Sequence, residues 1–202
     1  DKDVEKQIQA KLKNAGEKKL TEAFIKKNTD NECKTKAEYE KRVREQLEKD
    51  KKNSVGSELL SKVSGDSKLK KTPKLQLKAA KKDVEQNYEQ MASQYGMDVD
   101  SLIKAYGMDE KSYQAMVKNS AKESVKLHLV AHAIAKEEGI RLSSSDYDQR
   151  LKEFKESTGL SEKQFKKQAG SSYEDYAKEN NFEEYFFQEK VGQFLVDKAT
   201  AK

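Results

Sequence analysis

The sequence predicts an all-α protein, an extended multi-helix domain with protruding helical arms. Three observations carry this. A single proline and nine glycines in 202 residues leave few places to break a helix. Apolar residues recur at steps of three and four through most of the chain, the period of one helical face, and no strand-length alternation stands out. Hydrophobic residues make up 34% against 38% charged, with a mean hydropathy of −1.07. Any core is therefore thin, and the helices are too polar to close into one ball.

The elements follow in order. Residues 1–15 place Val4, Ile8, Leu12 and Ala15 on one face, and Gly16 ends that helix. Residues 20–28 carry Leu20, Phe24 and Ile25. Thr35-Lys-Ala-Glu38 is a capping box, the threonine capping forward and the glutamate bonding back. It opens a long helix to about Ser64 with a narrow stripe of Tyr39, Val43, Leu47, Val55, Leu59, Leu60 and Val63. The gap at Lys51 and the glycine at Gly56 predict a weakly held middle. Residues 64–73 form a loop, and Pro73 opens the next helix, which bears Leu77, Ala80, Val84, Tyr88, Met91, Ala92 and Tyr95 and stops at Gly96. Asp98 caps a short helix with Leu102, Ile103 and Tyr106, stopped by Gly107. Two Gly-Met steps, Gly96-Met97 and Gly107-Met108, set flexible apolar side chains at turns.

The most apolar run of the chain lies between Asp109 and Leu151. Tyr113, Met116, Val117, Ala121, Val125, Leu129, His132, Ala133 and Ala135 recur at helical spacing, and no Pro or Gly interrupts from Glu110 to Glu138. About 28 residues of helix run roughly 42 Å. Gly139 stops it, and Ser144 or Ser145 caps the next helix before Asp146. Shorter helices then cover Asp146–Ser157 with Tyr147, Leu151 and Phe154, Ser161–Ala169 with Phe165, and Tyr173–Glu179 with Tyr176. The last, Phe182–Lys198, is the most aromatic; its Phe182, Tyr185 and Phe186 are expected to pack.

Little in the chain suggests catalysis. His128 and His132 stand at i, i+4, a spacing that binds zinc, but Leu129 occupies the place of the H-E-x-x-H glutamate and no third ligand is signalled. A packing role is the better reading, and no metal is expected. Carboxylates are many, yet nothing visible builds the pocket that shifts a pKa for acid–base work. There is no Gly-rich phosphate loop and no nucleophile motif. The single Cys33 excludes an internal disulfide. No apolar run is long enough to span a membrane. The net charge of +5 comes from lysine, arginine being confined to Arg42, Arg44, Arg141 and Arg150. The basic stretch Lys68 to Lys74, continued by Lys78, Lys81 and Lys82, suits nucleic acid or a membrane surface, but a solvated face is the simpler reading because aromatics are not interleaved.

Several of these stretches together resemble one family. Ile134, Ala135, Glu138 and Ile140 close the long helix in an Ile-Ala-x-x-Glu-x-Ile pattern, Arg44, Leu47 and Glu48 follow a Thr-headed helix start, and Leu20, Phe24 and Ile25 fit the domain entry. This is similar to the C-terminal, substrate-holding domain of trigger factor, the bacterial ribosome-associated chaperone. The resemblance implies a linker helix at 1–16 and a helical peptide-binding domain at 17–202. The prolyl isomerase domain and the Gly-Phe-Arg-x-Gly-Lys ribosome loop are missing from this stretch. It implies ATP-independent holding with no cofactor and no isomerase activity. The expected partner is unfolded or nascent polypeptide, with the ribosome reached only through a missing N-terminal domain. No nucleic acid and no membrane span are expected, and a weak homodimer is the self-association it allows. The family's compartment is the cytoplasm; the basic charge leaves export to the surface of a Gram-positive-like cell as the alternative. Placement at helix ends and turns nominates Tyr88, Met91, Tyr95, Met97, Leu102, Ile103 and Tyr106 on one arm, and Phe154, Leu160 and Phe165 on a second, as contacts for unfolded polypeptide. The alternative function is a Lys-rich helical module for nucleic acid or an acidic partner.

Overall fold

The computed structural model describes residues 2–29 and 31–200. Among them are ten helices and no strand: α1 (Lys2–Ala15), α2 (Glu22–Asn28), α3 (Lys36–Asp66), α4 (Lys74–Gln94), α5 (Val99–Ala105), α6 (Glu110–Glu138), α7 (Ser144–Thr158), α8 (Glu162–Ala169), α9 (Tyr173–Glu179) and α10 (Phe182–Thr200). The fold is all α, as the periodicity predicts. The chain divides into two units, one of Asp1–Leu59 with Gly139–Lys202, the other of Leu60–Glu138. Helix α3 contributes to both.

In the first unit, α1 shares a core with α2 and α3, where Val4, Ile8 and Leu12 meet Phe24, Ile25, Tyr39 and Val43. The start of α3 is fixed by the expected capping box: Thr35 Oγ1 accepts from the Glu38 amide at 3.2 Å, and Glu38 Oε2 accepts from the Thr35 amide at 3.1 Å. The cap of α7 is Ser143, one residue earlier than expected. Its hydroxyl accepts from the Asp146 amide and Asp146 Oδ2 accepts from the Ser143 amide. The reciprocal box needs the acid three residues beyond the cap, and only Ser143 stands at that distance from Asp146.

The middle of α3 is not weakly held. Its apolar stripe is interrupted because polar and backbone contacts take over there. Buried Asn53 donates to Glu189 Oε1 at 3.0 Å and accepts from Gln193 at 2.6 Å. One turn on, Gly56 faces Gly192 of α10 so closely that a Cβ on Gly56 would lie 2.6 Å from the Gly192 carbonyl carbon. The gap in hydrophobicity marks a backbone-to-backbone helix crossing that only two glycines permit.

Charged side chains extend this crossing. Lys49 donates to both Glu153 oxygens at 2.6 and 2.7 Å, Arg150 pairs with the same Glu153, and Arg150 Nη2 reaches Glu189 Oε2 at 2.8 Å. Asn53 and Gln193 continue the line, so α3, α7 and α10 are tied by one connected set of hydrogen bonds. Burial pushes the Glu153 carboxyl up, but hydrogen bonds from Lys49 and Arg150 outweigh it and hold the group below its usual range. Arg42 grips Glu156 with two nitrogens at 2.8 and 3.0 Å. Here burial wins, and the Glu156 carboxyl titrates above its usual range despite Arg42.

The second unit is simpler. Its core is a seam along α4 and α6. Leu77 and Ala80 meet Ala121, Val125 and Leu129, while Val84 and Tyr88 meet Tyr113 and Val117 with Ile103 of α5. Rising numbers on α4 pair with falling numbers on α6, so the two helices run antiparallel. On α6, Ala135 is buried as expected, and so are Val130 and Ala131 beside it, while His132 and Ala133, expected on the apolar stripe, are exposed. Lys126 of α6 donates to the Gly65 carbonyl at 2.9 Å and so caps the last turn of α3.

Candidate functional site

The end of the second unit where α4 turns into α5, and α5 into α6, is built twice from the same words. Tyr95-Gly96-Met97-Asp98 and Tyr106-Gly107-Met108-Asp109 are identical tetrapeptides, each followed three residues later by a serine, Ser101 and Ser112. In each, the glycine adopts a left-handed φ, 66° at Gly96 and 71° at Gly107, which costs a residue with a Cβ energy that glycine is spared. The amide of the following methionine then turns back onto the helix: Met97 N donates to Ala92 O at 3.0 Å, and Met108 N to Ile103 O at 2.9 Å. That is a Schellman cap in both cases. The aspartate opens the next helix, Asp98 Oδ1 accepting from the Ser101 amide and Asp109 Oδ1 from the Ser112 amide, each at 2.7 Å. Hydrogen bonds from the serine side chain and amide hold both carboxyls below their usual range. Sequence reasoning found the two Gly-Met steps but not the repeated cap-and-restart element, although the repetition is legible in the chain.

These turns decide which apolar side chains reach water. Tyr88, nearly two turns before the end of α4, packs edge-on against Tyr113 with ring centroids 5.3 Å apart. Beyond it Ala92 keeps α4 covered on one side, but the larger side chains around it reach water. Met91 is 36% exposed, Tyr95 66%, Met97 41% and Tyr106 57%. Met91 and Tyr95 share a stripe at i, i+4, and the Tyr106 hydroxyl lies 3.7 Å from Met91 Sδ. Single exposed hydrophobics need no explanation, but four large ones at one end of a two-helix hairpin form the kind of uncovered apolar surface that marks a binding place. Thioethers and phenol rings are polarizable and adaptable, which suits partners of varied shape.

The structure buries three of the expected contact residues. Leu102 and Ile103 are 3% and 2% exposed, and Ile103 is part of the α4–α6 seam. Phe165, in the first unit, is stacked on Tyr173 with centroids 3.7 Å apart. Phe154 is half-buried and meets Phe165, Tyr173, Tyr176 and Phe182. Leu160 is half-buried too. Periodicity assigned these residues to an apolar face correctly; the partner that covers the face comes from another helix, which periodicity cannot see. The opposite error falls on Tyr185, expected to pack and 55% exposed.

One further recess in the first unit was not foreseen. A groove of about 540 Å³ runs where the start of α7 meets the end of α9, lined by Leu142, Tyr147 and Phe182 with Asp148, Lys178 and Glu183 at its rim. Its residues come from two separate stretches, 142–148 and 177–183, so no local signal announces it. On α6, His128 and His132 place their rings 4.3 Å apart on successive turns. Among the described residues no helix is long and apolar enough to cross a membrane.

Comparison with known proteins adds one consistent result. The family model described as bacterial trigger factor protein (TF) C-terminus matches residues 34–197. Among curated proteins, the chain is 28% identical over 123 residues to a trigger factor of Staphylococcus saprophyticus, covering 61% of this chain and 28% of that protein. It is 35% identical over 68 residues to a trigger factor of Halothermothrix orenii, covering 34% and 16%. It is 34% identical over 76 residues to one of Macrococcus caseolyticus, covering 38% and 18%. The chain thus spans well under a third of the length of these relatives. No solved structure matches it.

Proposed function

The chain belongs to the trigger factor C-terminal family, and from that premise we propose that it is a chaperone region that holds unfolded or nascent polypeptide without nucleotide. The observation that carries the proposal is the exposure of Met91, Tyr95, Met97 and Tyr106 at one end of the α4–α6 hairpin. A side chain of this kind contributes on the order of 1 kcal/mol when an unfolded segment covers part of it. Four together give about 4 kcal/mol, a dissociation constant near the millimolar range. One patch therefore grips weakly and lets go quickly. Holding comes from several patches engaging one flexible chain, because the second contact is made at high effective concentration. Tyr88 at the edge of the seam, half-buried Phe154 and Leu160, and the groove at Tyr147 and Phe182 are the places that supply further contacts.

This reading asks no chemistry of the chain, and assigns it neither isomerase activity nor ribosome docking. A chemically unfolded test protein diluted out of denaturant aggregates, and light scattering follows it. The intact chain suppresses that scattering, and the Met91→Ser/Tyr95→Ser/Met97→Ser/Tyr106→Ser variant loses most of the suppression while keeping its helical circular dichroism. Equal suppression by the variant would remove this patch from the mechanism. Suppression that persists at high salt separates apolar holding from binding of an acidic partner, which salt weakens steeply.

A further inference from the structure

A second exposed surface of the α4 hairpin is not explained by client holding. Residues 67–82 contain seven lysines and no acidic residue. Six of the seven are exposed and Lys81 is half-buried. Among the described residues none of the seven forms an ion pair, whereas ion pairs elsewhere engage Lys26, Lys36, Lys41, Lys49, Lys52, Lys152, Lys155 and Lys190. In their midst Leu75 is 85% exposed, the most exposed large hydrophobic residue described. Leu75, Lys78 and Lys82 stand at i, i+3 and i+7 and so share one stripe of α4. The packed side of the same helix is Leu77, Ala80, Val84 and Tyr88, which places Leu75 on the opposite side.

The start of α4 breaks a local rule that this chain otherwise follows. Its first turn holds no acidic residue, and Pro73 makes no side-chain cap. Lys74 instead sits at the positive end of the helix dipole, where a cation is unfavourable.

We propose that this face docks on the surface of an anionic lipid bilayer, with the ammonium groups at the level of the lipid phosphates and Leu75 inserted among the acyl chains. The match is one of charge and of polarity together. Lysine ammoniums are point charges that serve a diffuse anionic surface, whereas base and phosphate reading in nucleic acid leans on arginine forks and stacked aromatics, and residues 67–82 contain neither. A bilayer also gives the leucine an apolar destination directly beneath the phosphates.

The test uses the full chain and sedimentation with extruded vesicles, either mixed phosphatidylglycerol and phosphatidylcholine or phosphatidylcholine alone. The chain binds the mixed vesicles and leaves the neutral ones. Each lysine near an anionic leaflet strengthens binding roughly fivefold, so Lys71→Glu/Lys74→Glu/Lys78→Glu/Lys82→Glu weakens it at least about a hundredfold. A charge-matched reversal of Lys18, Lys163, Lys166 and Lys167 weakens it far less, which separates this face from the general positive charge. Leu75→Asp weakens binding roughly tenfold or more. All substituted residues are exposed; should the glutamate variant lose helical signal, the same four positions as glutamine replace it. Failure to bind mixed vesicles overturns the proposal. So does equal loss in the charge-matched control. Binding to single-stranded or duplex RNA that is tighter than to vesicles, with Leu75→Asp silent, also overturns it and makes a phosphate backbone the partner.

Discussion

The two units treat the same kinds of residue in opposite ways. In the first, Phe154, Phe165, Tyr173, Tyr176, Phe182 and Phe186 are joined in one set of ring contacts, because α7, α8, α9 and α10 converge and each covers another's apolar face. In the second, two long helices and one short one make a seam of small residues, Ala80, Ala121 and Val125, widened at one end by Ile103, Tyr113 and Val117. A helix in such a pair has one covered side. Met91, Tyr95, Met97 and Tyr106 lie past the end of the seam and stay in water. Burial here follows the number of neighbouring helices, more than the hydrophobicity of the residue.

The largest effect that sharpens this contrast is in the ring cluster. Phe165→Ala should cost about 3–5 kcal/mol, read from urea unfolding; a cost under about 1 kcal/mol would mean that the rings are not the first unit's core. Next is the helix crossing. A Cβ at position 192 would lie 2.8 Å from the Gly56 carbonyl carbon, and backbone cannot swing aside as a flexible side chain does. Gly192→Ala should therefore cost about 1–3 kcal/mol, with the rest of the fold retained by circular dichroism.

The third effect is one of pH. Glu153 titrates below its ordinary value of 4.5 in the folded protein. Its folded pKa is depressed, so its contribution is present above that ordinary value and is lost as the pH falls through the lower folded one. Denaturant midpoints should drop on acidification below about 4.5, and Glu153→Gln should flatten that acid limb while lowering the midpoint at neutral pH. The smallest effect on stability belongs to the turns: Tyr95→Ser should stay within about 0.5 kcal/mol of the parent. A large loss there would mean that Tyr95 is core and would erase the contrast between the units.

Much of this was legible in the chain. The period of three and four located the helices, and Thr35 with Glu38, Asp98 and the glycines at 16, 96, 107 and 139 marked their ends. Most of what escaped depended on partners distant in sequence. The middle of α3 around Lys51 and Gly56 read as weakly held because the partners of Asn53 and Gly56, which are Glu189, Gln193 and Gly192, lie over a hundred residues away. Ile103 read as surface although its partners are near in sequence, because Tyr113 and Val117 reach it only once α6 folds back beside α5. The four exposed residues at the turns were legible because a Schellman turn ends a helix locally, and a side chain at its edge depends little on the rest of the fold.

In the proposed function, Met91 and Met97 are held in water to be covered by an unfolded partner. The chain has four methionines; Met108 and Met116 pack against the α4–α6 seam. Methionine-methyl NMR during titration with a reduced, permanently unfolded polypeptide distinguishes them directly. The Met91 and Met97 signals should shift or broaden while Met108 and Met116 hold their positions. Unmoved signals at 91 and 97 in the presence of bound polypeptide would contradict that role.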